Sequence, residues 1–208
     1  MRNNQFLRGR SIMFALFVSL TFSPLFLSAQ EKGTFKDLRD GRDYNWIKFG
    51  NQTWMSENLR YNVPAASWSY NNDSVNEAKF GILYTWKAAQ TACPKGWHLP
   101  TDKDWGVLIQ FLGGNGEAGQ KLQALEMESV NNDGEQIPSA GKGSSLLGGV
   151  RHPDGSCIGL NFWGGCWSAG KVNDTIGINY LFARKTKEMS ASSNDKAAGF
   201  TVRCMKNK

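Results

Sequence analysis

The chain has 208 residues, 40% of them hydrophobic and 20% charged, which supplies enough apolar material for a core and excludes wholesale disorder. Its formal charge of +6 is partly local: 24 basic residues less Arg2, Arg8 and Arg10 leave 21 against 18 acidic, a balance of +3. No stretch concentrates positive charge, so composition points away from a nucleic-acid partner.

Residues 1–29 read as a secretory signal peptide. Arg2, Arg8 and Arg10 form its positive start, Ile12 to Leu20 its apolar run, and Leu27-Ser28-Ala29 the small-residue site for a cut before Gln30. The rival is an uncleaved anchor, but Ser19, Thr21, Ser23 and Pro24 break the run short of the roughly 20 apolar residues a spanning helix needs. No cysteine follows for a lipid anchor. The expectation is a secreted or cell-surface protein with no membrane span after cleavage.

Export governs how Cys93, Cys157, Cys166 and Cys204 are read. An even count in an oxidising compartment implies two disulfides, with three pairings open. The spacings of 63, 8 and 37 intervening residues hold no C-x2-C knuckle, which disfavours a zinc site. A Cys93–Cys204 bridge would close a loop of about 110 residues, roughly 4–5 kcal/mol of chain entropy against about 2.7 for Cys157–Cys166.

Residues 30–43 are polar and form a lead-in; residues 44–207 form the domain. Tyr44 to Phe49, Gly50-Asn51 and Gln52 to Met55 predict a hairpin. The Asn/Ser-rich stretch 62–79 predicts a surface loop. Leu83 to Thr91 has helical composition and stops before Pro94. Thr101 predicts an N-cap with Asp104 completing a capping box, and Trp105, Leu108, Ile109 and Leu112 follow as one apolar face up to Gly113-Gly114. A further short helix is expected over 120–126. Residues 131–170 are Gly-, Ser- and Asn-rich, a long loop that needs a strap. Ile176, Ile178, Tyr180 and Phe182 alternate as a half-buried strand, and Phe200, Val202 and Cys204 predict another with Cys204 inward. Helices in the middle and strands at both ends give an α+β domain with a mainly antiparallel sheet joining the termini. No internal repeat is present.

An ordered series of segments carries a resemblance: GNQTWMSENL (50–59), GILYTW (81–86), ACPKGWHLPTD (92–102), GGVR (148–151), Trp167-Ser168 and GFTVRC (199–204). Together they resemble the Fibrobacter succinogenes major paralogous domain, a family of exported bacterial proteins, from about residue 34 to 207. His98 to Trp105 and the closing Gly199-Phe200…Arg203-Cys204 are similar in turn to the frame of formylglycine-generating enzymes and C-type lectin-like folds. That likeness implies a C-type lectin-like fold with two or three helices and an irregular region at 113–170. It also implies the pairs Cys93–Cys204 and Cys157–Cys166.

No catalytic constellation can be assembled. Cys157 and Cys166 are the only near pair for the copper chemistry of formylglycine generators, but their surroundings lack that group's cysteine signature and basic neighbours. Asp102 and Asp104 are explained by capping, and Glu126 and Glu128 by solvation. His98 is expected in a turn beside a helix start, and neither it nor His152 has a second ligand at metal spacing. The calcium-ligand motifs of sugar-binding lectins are missing. The sequence therefore calls for no metal and no cofactor. Most of the eight Trp read as core. Trp68 and Tyr70 in the polar loop, and Asn161 and Trp163 in the long one, are the candidate ligand residues, with packing of the loops' own small cores as the alternative. The expected function is non-catalytic binding of a glycan or surface protein. An oxidase related to the formylglycine generators and a structural envelope or fimbria-associated component are the alternatives.

Overall fold

The structure, a computed structural model, describes residues 30–130, 136–138, 145–184 and 186–208. The signal-peptide reading of residues 1–29 lies outside them.

Strands β1 (Lys32–Lys36), β2 (Asp43–Phe49) and β3 (Gln52–Met55) form an antiparallel meander. The β2–β3 hairpin turns at Gly50, whose φ of +58° favours glycine. The lead-in expected at 30–43 is thus partly a strand. Gly33 lies opposite Trp46, where any Cβ would overlap the indole. Strand β4 (Ser67–Trp68), α1 (Ser74–Phe80), β5 (Leu83–Tyr84) and α2 (Trp86–Ala92) follow. The surface loop predicted at 62–79 therefore holds a strand and a helix, α1 being capped by Asp73, which accepts from Val75 N. Thr85 caps α2, which starts three residues later than expected.

After β6 (Trp97–His98) comes α3 (Asp102–Phe111), with the predicted box: Thr101 Oγ1 accepts from Asp104 N, and Asp104 Oδ2 accepts from Thr101 N at 2.9 Å. Next are α4 (Asn115–Met127), β7 (Glu128–Val130) and β8 (Gln136–Pro138), β9 (Val150–Arg151), β10 (Cys157–Ile158), β11 (Trp163–Lys171), β12 (Ile176–Ala183), β13 (Met189–Asp195) and β14 (Met205–Lys206). The region expected to be irregular over 113–170 thus contains α4 and most of β11.

The result is α+β with four helices and antiparallel sheets among the described residues. The main sheet runs β1-β2-β3-β14-β6, so the last strand lies between β3 and β6 and joins the termini as expected. A second sheet runs β11-β12-β13. Helix α3 packs between them: the buried Trp105 ring lies 4.7 Å from that of Trp54 on β3 and 4.9 Å from that of Tyr180 on β12. Leu108, Ile109 and Leu112 are buried beside it, each contributing about 1.5–3 kcal/mol of apolar transfer. On the other side Ala88, Ala89 and Ala92 of α2 pack with Trp167, Phe200 and Val202.

Cys93, at the end of α2, is bonded to Cys204, with Cα atoms 5.8 Å apart and a sequence separation of 111. The predicted alternation at 200–204 does not appear: Thr201 and Arg203 are as buried as Phe200, Val202 and Cys204, because structure covers both faces of this segment. No helix among the described residues is long and apolar enough to cross a membrane.

Replacing Cys93 and Cys204 with alanine lowers unfolding free energy by roughly 2–5 kcal/mol, since the bridge closes a long loop. Denaturant titration reads this directly, and reductant on the wild type reproduces it; an unchanged midpoint contradicts it.

A second constraint sits at the turn after β1. Asp37 is buried and accepts from Arg39 N at 3.0 Å and Arg39 Nη2 at 2.7 Å. Burial alone would raise its pKa, but the hydrogen bonds and charge of Arg39 outweigh it and hold the carboxyl below the unfolded value of 3.8. A depressed folded pKa stabilises above the unfolded pKa, and that contribution is lost as pH falls through the folded value. The stability gap between wild type and Asp37→Asn is expected to be full at neutral pH and to shrink under acid below about pH 4. A gap that grows on acidification has the wrong sign.

Candidate functional site

The GGVR segment is the hinge of the candidate site. Gly149, at φ +69°, donates its N–H to Trp163 O at 3.0 Å and forms a parallel bridge with Gly164. A Cβ there would lie 2.5 Å from the Tyr70 ring and 2.6 Å from Ile158 O, so only glycine fits. Tyr70 is accordingly buried against Gly149, which corrects the expectation of an exposed loop aromatic: it forms floor.

Two residues on, Arg151 pairs with Cys157 across β9 and β10, and its guanidinium lies 3.9 Å from the Trp68 ring centroid. Arg stacked on indole gives a flat, partly exposed cationic platform. The turn beyond it is stiff. His152 N donates to Ser156 O at 2.8 Å, and Asp154 Oδ1 accepts from Ser156 N at 2.9 Å and from its hydroxyl at 2.8 Å. Those hydrogen bonds, the backbone one foremost, hold the Asp154 carboxyl below its usual pKa.

Asn161 and Trp163 lie on the turn that leads into β11. Asn161 takes φ +65°, a left-handed conformation that Asn tolerates, and its N–H donates to Leu147 O at 2.9 Å. Any Cβ at Gly159 would overlap the Trp163 indole, so that ring lies on bare backbone. Trp163 also walls an open pocket of about 270 Å³, with Leu181, Phe182 and Ala183 as the apolar side. Thr186, Glu188 and Ser190 form the polar side.

Helix α4 fixes that polar side. Gln120 N donates to Lys187 O at 3.1 Å, Gln123 Nε2 to Ala183 O at 3.3 Å, and Gly119 lets the backbone of Glu188 approach the helix. Sequence reasoning found Trp163 but missed these three residues, whose segment has no hydrophobic period to mark it.

The expected Cys157–Cys166 disulfide is not formed. Cys157 is a half-buried thiol on β10, whereas Cys166 is fully buried on β11, its Sγ 3.2 Å from Thr201 Oγ1. Because the Thr201 hydroxyl donates to Gly165 O, the thiol is the donor in that pair. Only eight residues separate the two cysteines in sequence, but the Gly159–Trp163 turn carries them into different sheets.

Around Cys166 lies a buried polar set. Asn58 donates to Phe80 O at 2.9 Å and Ser145 O at 2.7 Å, and accepts from Arg203 Nη2 at 3.1 Å. Arg203 also donates to Ser145 Oγ at 2.9 Å. Asn58, Cys166 and Arg203 are buried and Ser145 is half-buried, so the set holds segments together.

His98 sits beside the α3 start as expected, with Nδ1 2.7 Å from Asn207 Oδ1 and Nε2 3.7 Å from Asp104 Oδ2. Asp102 accepts from Ser168 Oγ at 2.6 Å. The side chains of Glu126 and Glu128 lie outside the description. Among the described residues no three His, Cys, Asp or Glu side chains gather as metal ligands would.

Residues 47–206 match the Fibrobacter succinogenes major domain, and the chain belongs to that family. No curated protein matches the chain, and neither does any solved structure.

A water-soluble thiol reagent is expected to titrate Cys157 in the native chain and Cys166 only after denaturation. Two thiols reacting at once contradict the burial of Cys166; none reacting even in denaturant restores the second disulfide.

Proposed function

We propose that the chain is an exported, non-catalytic recognition domain of C-type lectin-like architecture, binding a glycan or surface protein through the side that carries Trp68, Arg151, Asn161 and Trp163. The observation that carries this reading is the open pocket lined by Trp163 together with Thr186, Glu188 and Ser190. An aromatic wall opposite a few polar groups is the usual make-up of a small recognition site. The Trp68–Arg151 stack adds a second platform two residues along the chain from Gly149.

The lectin-like architecture is supported by the sheet that joins both ends of the chain and by the bridge from the end of α2 to Cys204. Export is supported by the charge and apolar pattern of residues 1–29, and agrees with a disulfide in the domain.

A glycan array and a pull-down from surface extracts test the reading. The wild type should give saturable capture that Trp68→Ala or Trp163→Ala weakens. Partners confined to the protein's own assembly favour a structural envelope role. Two native thiols that bind copper and turn over a thiol substrate favour the oxidase, and either result overturns the proposal.

A further inference from the structure

We infer that the Trp163 pocket is a subsite for a single neutral pyranose ring; this rests on the recognition reading above and names the chemistry of its ligand. Pyranoses have an apolar C–H face and an edge of hydroxyls, and the pocket lining offers both kinds of partner: Trp163, Leu181 and Ala183, and Thr186, Glu188 and Ser190.

One face of the indole is covered by the backbone at Gly159, so a ligand stacks on the part that borders the pocket. Leu181 and Ala183 continue the apolar wall; Ala183 is the register partner of Trp163 across β11 and β12, which sets its small side chain beside the ring. The same lining includes three residues that bear one carboxylate and two hydroxyls, Glu188, Thr186 and Ser190. Glu188 supplies acceptors alone, while each hydroxyl both donates and accepts, which suits neighbouring sugar hydroxyls.

Size narrows the choice. About 270 Å³ falls just below the usual range for small-molecule sites, roughly 300–1,000 Å³, and holds one ring rather than a chain of them. Charge narrows it further. Glu188 is flanked by Lys187 and shares its loop with Arg184, so one carboxylate among cations does not make a site for a cationic ligand. The polar side rejects a purely apolar guest, whose burial would strip those groups of water without replacing their hydrogen bonds.

The side that meets the hydroxyls is also held in advance. Lys187 Nζ lies 3.6 Å from Glu117 Oε1 and Lys187 O accepts from Gln120 N, so α4 anchors the loop next to Glu188 before any ligand arrives. Preorganisation of this kind lowers the ordering cost of binding.

The test is titration of the full chain with a panel of neutral methyl pyranosides, followed by ligand-observed NMR. At least one is expected to saturate. Trp163→Ala should weaken it roughly tenfold or more, and Glu188→Gln several-fold. Ser190→Tyr, on an exposed position of β13, fills the pocket without touching the core and should abolish binding even if the Trp163 variant folds poorly.

Failure of every pyranoside to bind overturns the inference, as does binding that survives both Trp163→Ala and Ser190→Tyr. Saturation by alkylammonium ligands alone, lost in Glu188→Gln, overturns it too. In each of these cases a partner captured by the array or pull-down through Trp68 would leave the recognition reading standing; capture of nothing would sink both.

Discussion

The segment 199–206 has backbone partners in four of the five sheets of the described residues. Gly199 exchanges hydrogen bonds with Arg151 of β9, Phe200 with Tyr84 of β5, and Thr201 pairs with Gly165 and Trp167 of β11. Cys204 O accepts from Met55 N, and Met205 continues as β14 between β3 and β6. A strand satisfied on both edges and buried on both faces leaves its polar side chains no water, and so Thr201 and Arg203 must find protein partners. The disulfide from Cys93 then fixes this strand to the helical half. Displacing the segment would uncouple both cores at once.

The same constraint explains how the candidate site is held without a second disulfide. Arg151 N donates to Gly199 O at 3.0 Å and Gly199 N returns a bond to Arg151 O at 2.7 Å, while Thr201 N donates to Gly165 O at 3.0 Å. The Gly-rich stretch is sewn to the central segment by backbone pairing rather than by sulfur. Its glycines permit the close approach: a Cβ at Gly149 would strike Tyr70. With the strap supplied by the ladder, Cys166 serves as a small buried group with a weak donor.

What could be read in the sequence follows from which interactions are local. The β2–β3 hairpin and the α3 cap depend on neighbours a few residues apart, and both were visible. Strand β1 is defined only by its pairing with β2, and α1 has a single buried residue, Phe80, with Val75 turned to solvent; neither leaves an apolar period to detect. Cys93–Cys204 came through resemblance rather than pattern. The pair Cys157–Cys166 came from the same resemblance, and the turn at Gly159, which carries the two cysteines into different sheets, defeats it. At the site, Trp163 stood out as an aromatic in a loop. Thr186, Glu188 and Ser190 did not, because α4 brings them there from a polar stretch with no signature of its own.

Family membership and the proposed site are therefore carried by different atoms. Trp54, Asn58, Leu59, Tyr84, Leu99, Trp167 and the run from Phe200 to Cys204 all come from the segments that define the family, and all are buried. They specify the frame: the two cores, the capped helix, the bridge and the buried polar set. Of the motif residues, Arg151 is the one that reaches the candidate face, through its stack on Trp68. Trp163, Thr186, Glu188 and Ser190 lie outside those segments. Substitutions at the exposed Thr186, Glu188 and Ser190 cost little folding free energy, since surface changes rarely exceed about 0.5 kcal/mol, yet they alter the lining of the pocket. A chain built this way can keep its fold while its pocket changes, so a test of the proposed function must address the pocket residues themselves and not the frame that presents them.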